Sequence, residues 1–378
     1  MVKMAQNINY TFKMLYVLAI IMIVDGHVGQ YDYLNFNHLF RYQNYHIALF
    51  MFTSGYFLNL ERDLKEFLLK KLKTLILPLY LWNLFYGMLC FVLNHFAGFN
   101  IGSELSLYNL LYAPLTNGHQ FIYNMGSWFL VPLFFVQLIG YLSLKPCLML
   151  KEKQKTLVNL LFFMFALFCG CMSLRFGPQN HGEPNLSLMA VRIFYFMPAF
   201  ALGYLYRQKL EQYDKLNTPL YLFIIMGLTA LLCNYFPGYN HIPAWLDFVN
   251  APALAIFTLS FLSIFFWLRI ARILSPVLKE SPSLKYISNH TFDIMMHHFA
   301  GFMLIKAALS RCPGFNYHAY QNDIWYYYFP SSEELSGWLY ISITLVIALL
   351  TGFTNRKICA TLKQFLCNKN SNSKGGIL

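Results

Sequence analysis

The chain has 378 residues, 57% of them hydrophobic and only 12% charged, with a formal net charge of +12. So small a polar fraction excludes an ordinary water-soluble domain. The basic residues are spread between apolar stretches instead of forming one patch, which argues against nucleic acid as the partner.

Crossing a hydrocarbon core of about 30 Å takes roughly 17 to 25 apolar residues in a helix. Windows of that kind predict ten membrane helices, over 12–28, 43–60, 74–96, 127–144, 156–176, 188–206, 219–236, 248–268, 286–309 and 336–355. With the N-terminus in the cytoplasm, all of the 28 Lys and Arg except Arg41, Arg175, Arg192, Lys306 and Arg311 fall on cytoplasmic segments. By the positive-inside rule both termini are then cytoplasmic. The expected fold is all-α, a polytopic membrane helix bundle of about ten transmembrane helices. It forms one domain over 1–378, with a basic cytoplasmic tail over about 356–378. The first apolar segment lacks a small-residue cleavage site and reads as a retained helix. The eight cysteines form no disulfide framework, and Cys169 and Cys171 lack the spacing of a metal site.

In chain order, the first helix carries Asp25 and His27 near its outer end. An ionisable group in hydrocarbon is costly, so His27 is a functional candidate by default. It lies 14 residues beyond Lys13, on the order of 20 Å from the cytoplasmic surface. Asp25, two residues earlier on a helix, points nearly the opposite way. In the second helix Ser54 and Gly55 read first as a small-residue contact that lets helices approach closely. A run holding Arg62, Lys65, Lys70, Lys71 and Lys73 precedes Pro78. It is either a positive-inside anchor or a site for a phosphorylated cytoplasmic donor. The outer connections 97–126 and 310–335 are rich in Tyr, Asn, Phe and Trp. Such residues anchor helices at the interface, Tyr326, Tyr327, Tyr328 and Trp338 among them, or hold sugars by stacking and hydrogen bonding. Arg192 lies beside Tyr195 in the sixth helix, to hold a ligand or to snorkel, and Arg175 ends the fifth. In the ninth, Asp293 and His297 share a face at i, i+4, where a carboxylate can orient an imidazole. A structural hydrogen bond between helices is the alternative. His298 points about 100° away and reads as a packing or interfacial residue.

These segments together resemble the acyltransferase family 3 of integral membrane enzymes, the sugar O-acyltransferases that include fucose 4-O-acetylase-like proteins. The likeness rests on Leu-Ala-Ile-Ile-Met-Ile-Val-Asp-Gly-His over 18–27, Ala-Leu-Phe-Met-Phe-Thr-Ser-Gly-Tyr-Phe-Leu over 48–58, and Lys-Lys-Leu-Lys-Thr-Leu-Ile-Leu-Pro over 70–78. It continues through Ser127 and Trp128, the stretch from Arg192 to Tyr204, and the stretch from Ile287 to His298. Two departures stand out. The arginine common eleven residues before the first-helix histidine is Tyr16 here, with Lys13 one turn earlier, and the paired arginines before the proline are lysines.

The resemblance implies transfer of an acyl group, in the first place acetyl, from cytoplasmic acetyl-CoA or another acyl-CoA to a hydroxyl of an extracytoplasmic or lipid-linked glycan. It implies His27 as general base, with His297 and Asp293 as further catalytic candidates, and Lys13, Lys70, Lys71 and Lys73 for the phosphates of the donor. Trp128, Arg192, Tyr195 and His46 are the candidate substrate contacts. Expected surroundings are membrane lipid, a sugar or glycan acceptor, glycan-synthesis proteins and the bacterial cytoplasmic membrane, without metal or nucleic acid. The rival readings are a polysaccharide or glycolipid exporter and a non-catalytic scaffold. An exporter is expected to show repeat symmetry or paired broken helices, and neither is evident.

Overall fold

A computed structural model of the chain describes residues 8–28, 39–40, 44–177, 186–237, 242–244, 246 and 250–372. Lys3, Arg41 and the end of the basic tail lie outside these residues. The described residues form thirteen α-helices and no β-strand. They are α1 Tyr10–Asp25, α2 His46–Tyr56, α3 Leu64–Lys71, α4 Leu77–Phe96, α5 Leu130–Leu144, α6 Glu152–Phe176, α7 Leu186–Leu205, α8 Thr218–Tyr235, α9 Ala253–Glu280, α10 Pro282–Asn289, α11 Thr291–Leu309, α12 Tyr317–Asn322 and α13 Glu333–Asn372. Among them are eight helical stretches long and apolar enough to cross a membrane, from Leu64–Phe96 to Leu335–Ile358. The protein is a multi-pass membrane helix bundle.

The two remaining predicted spans are shorter than their apolar windows. α1 has 16 residues and α2 has 11, about 24 and 16 Å of helix. Both are buried at the centre of the bundle, where α1 packs against α9, α2, α10, α11 and α13. A helix apolar all round suits that position. The α1 start is set by Asn9, whose side chain accepts from the Phe12 amide at 3.2 Å.

Helices α3 and α4 are continuous through a π-helical turn, Leu72–Ile76. Pro78 supplies no amide hydrogen and crowds the carbonyl four residues earlier, so the widened turn falls where the sequence demands one. This junction carries the lysine run to the bundle's edge.

Helices α2 and α7 cross in close contact at the core. A Cβ on Gly55 would overlap the backbone oxygen of Phe200, and one on Gly203 that of Phe52. Gly203→Val is therefore expected to force the helices apart and destabilise the fold by about 3 kcal/mol. The midpoint of thermal unfolding in detergent measures this, and an unchanged midpoint would contradict so close a crossing.

Charged residues gather at one end. Arg207 donates to the Tyr56 carbonyl at 3.1 Å, Lys145 to the Leu60 and Arg62 carbonyls at 2.6 and 2.8 Å, and Tyr56 to Glu211 at 2.9 Å. Nearby Arg269 and Arg272 grip Asp214, the latter at 3.0 Å, and Tyr206 donates to the same carboxylate at 2.6 Å. Aromatic and amide-bearing loops close the opposite end, linked by the Asn100 amide donating to Gln321 at 2.9 Å.

Candidate functional site

His27 sits just past the end of α1. The helix ends at Asp25, Gly26 caps it, and the His27 amide closes a turn onto the Val24 carbonyl at 3.2 Å. From the other side the Tyr327 hydroxyl donates to the His27 carbonyl. Thus Tyr327, expected only as an interfacial anchor, holds the backbone of this turn. The loop bearing it is held in turn by Lys306, whose buried ammonium donates to the Ile324 carbonyl at 2.7 Å.

The His27 imidazole faces α11. Its Nδ1 is 3.3 Å from Nε2 of His298, and the rings of Phe299 and Trp325 stand beside it at centroid distances of 4.9 and 6.2 Å. His298 reads from the sequence as a packing or interfacial residue, because it turns about 100° from His297. That same rotation brings it onto the side of α11 that meets α1.

Around His27 lies an outer cavity of about 560 Å³, within the range of small-molecule sites. His46, His119, Trp128 and Trp325 line it together with apolar side chains. Trp128 arrives on a 3₁₀ segment, Ile122–Phe129, that leads into α5. Burial, reinforced by the nearby Arg192 charge, holds the His119 imidazole well below its ordinary pKa. Hydrogen-bonding rings and indoles around one cavity suit a hydroxylated, ring-shaped ligand.

A second cavity, about 460 Å³, opens toward the charged end. Arg62, Lys70 and Lys71 stand at its basic side, and Tyr16, Phe50, Leu133 and Thr291 continue the wall inward. Gln137 donates to Ser54 Oγ in this wall, and its own buried carbonyl oxygen has no hydrogen-bond partner among the described residues. Phe129 and Met295 line both cavities. The two spaces therefore adjoin at those two side chains, one lined by the basic residues and the other by His27. Arg62 belongs to the basic run read from the sequence but is not among the residues named there for the donor phosphates, because it also reads as one more positive-inside charge.

Several expected residues fall elsewhere. His297 lines neither cavity: its Nδ1 is 2.7 Å from the Tyr86 hydroxyl and its ring meets Trp82 edge-on at 4.2 Å. Asp293 does not orient it. That carboxylate accepts from Arg356 of α13 and lies 3.3 Å from His290 Nδ1, because an opposite charge outcompetes a neutral ring one turn away. Lys13 donates to the Asn289 side chain, joining α1 to α10, and Lys73 is exposed and lines neither cavity. Arg192 is fully buried, donating to the Ala244 carbonyl at 2.6 Å and the Asn117 carbonyl at 2.8 Å. It lies 4.6 Å from the centre of the Trp128 ring. It fastens loops to α7, stacks on Trp128 and lines neither cavity. Tyr195 packs against Phe196 and Phe257 and also lines neither cavity. Of the expected substrate contacts, Trp128 and His46 share the His27 cavity; of the expected donor contacts, Lys70 and Lys71 line the inner one.

A family model described as an acyltransferase domain, that of acyltransferase family 3, matches residues 10–355. No curated protein and no solved structure matches the chain.

Proposed function

Because the chain belongs to acyltransferase family 3, we propose that this membrane acyltransferase moves an acetyl or similar acyl group from cytoplasmic acyl-CoA to a glycan hydroxyl on the far side. The observation that carries the reading is the pair of cavities adjoining at Phe129 and Met295, one lined by Arg62, Lys70 and Lys71 and the other by His27.

The inner cavity fits the donor's chemistry. Arg62, Lys70 and Lys71 supply charge for phosphates, the fork of Arg62 being suited to bidentate contact. The walls beyond are apolar enough for an extended arm, and the Gln137 carbonyl oxygen offers an acceptor for an amide N–H on that arm. The outer cavity offers Trp128, Trp325, His46 and His119 for a sugar ring.

In the proposed reaction His27 removes the proton from the acceptor hydroxyl as that oxygen attacks the thioester carbonyl. A carbon–oxygen bond forms, the carbon–sulfur bond breaks, and the departing thiolate takes the proton back from the imidazolium. General-base help of this kind contributes about 10² to 10⁴ in rate.

The test is transfer of label from radiolabelled acetyl-CoA to isolated glycan by membranes containing the protein. Lys70→Gln with Lys71→Gln is expected to raise KM for acetyl-CoA about 30-fold, since two phosphate contacts worth on the order of 1 kcal/mol each are lost, with kcat little changed. Absence of label from glycan in wild-type membranes would sink the acetyl-to-glycan reading. An unchanged KM in the variant would sink the assignment of the inner cavity to the donor.

A further inference from the structure

We infer that His298 is a positioning residue that selects the tautomer of His27, holding its proton on Nδ1 and leaving the Nε2 lone pair for the acceptor hydroxyl. The inference rests on His27 being the base.

The order of protons follows from the partners of His298. Its Nδ1 is 2.8 Å from the Met295 carbonyl and 3.1 Å from the Ile294 carbonyl. Carbonyl oxygens only accept, so Nδ1 carries hydrogen. A neutral His298 ring then has a bare Nε2, which can only accept, and the atom it meets at 3.3 Å is His27 Nδ1. His27 must donate there, so its own proton sits on Nδ1 and its Nε2 is the basic nitrogen.

The His298 ring is held from its other side as well. A Cβ on Gly126 would come within 2.8 Å of its Cε1 and 2.7 Å of the Met295 oxygen, so only glycine lets the 3₁₀ segment close on it. When His27 takes up the acceptor's proton, the Nδ1–H to Nε2 bond becomes charge-assisted and strengthens as positive charge develops. The interaction thus acts more on the transition state than on the resting enzyme.

Two substitutions separate positioning from packing. Asparagine at 298 can still donate to the Ile294 and Met295 carbonyls, but it is too short to meet His27. Glutamine reaches the Nε2 position and offers its carbonyl oxygen to the His27 Nδ1–H. His298→Asn is expected to lower kcat about 10- to 100-fold, the scale typical of residues that orient an essential histidine, with KM for acetyl-CoA unchanged. His298→Gln is expected to recover most of that loss. Wild-type kcat in His298→Asn, or equal loss in both variants at equal thermal stability, would overturn the inference. His27→Ala is assayed beside them: if it stays active the base assignment itself fails, whereas an inactive His27→Ala with an active His298→Asn removes only the positioning role.

Discussion

Replacing His27 by alanine is expected to lower acyl transfer by about 10² to 10⁴, the range general-base catalysis supplies, in a protein that still folds. The effect is expected in kcat more than in KM, because in the proposed reaction the imidazole meets the reacting proton while the donor's phosphates are assigned to the other cavity, lined by Lys70 and Lys71. The fold is expected to survive because the turn after α1 is held by backbone contacts, the Val24 carbonyl on one side and the Tyr327 hydroxyl on the other, that an alanine keeps. What is lost besides chemistry is the ring contact with Phe299 and Trp325. Labelled-acetyl transfer by membranes matched for protein amount measures the outcome. Normal transfer by a well-folded His27→Ala protein would leave the general-base mechanism without its base.

The second large effect is on stability. Arg192→Met is expected to destabilise the bundle by about 3 kcal/mol or more. Methionine fills much of the same space but leaves the Ala244 and Asn117 carbonyls without the donor they have at 2.6 and 2.8 Å. Each buried acceptor left unsatisfied costs about 1 to 3 kcal/mol, and the cation over the Trp128 ring is lost too. Trp128 lines the His27 cavity, so some activity is expected to go with the stability. The unfolding midpoint in detergent reads the first effect. A midpoint equal to wild type would mean that Arg192 serves a ligand after all and not the loops around it.

His27 was legible as a functional candidate because an ionisable side chain beside an apolar run stands out in any hydrophobic stretch. Trp128, His46, Lys70 and Lys71 were also named from the sequence, and each lines one of the two cavities. The pairing of Asp293 with His297 failed for a physical reason. Helical spacing says which residues share a face, but it does not say what the neighbouring helix brings to that face. Here α13 brings Arg356 to Asp293, and α4 brings Tyr86 and Trp82 to His297. His298 was passed over on the same ground, since its value depends on α1 lying beside α11.

The sequence by itself determined the membrane bundle, the approximate extent of its helices, the basic character of one end and the acyltransferase family. Those properties are written in local composition and in residues close together along the chain, where transfer free energy and helix periodicity act directly. Only the tertiary structure decided that the two cavities meet at Phe129 and Met295, that Arg62 joins the lysines, and that His27 has His298 for its partner. Residues 27 and 298 are far apart along the chain, and no periodicity relates them. Their contact follows from how a short buried α1 packs among five other helices, a balance of side-chain shapes over the whole core that no single segment carries.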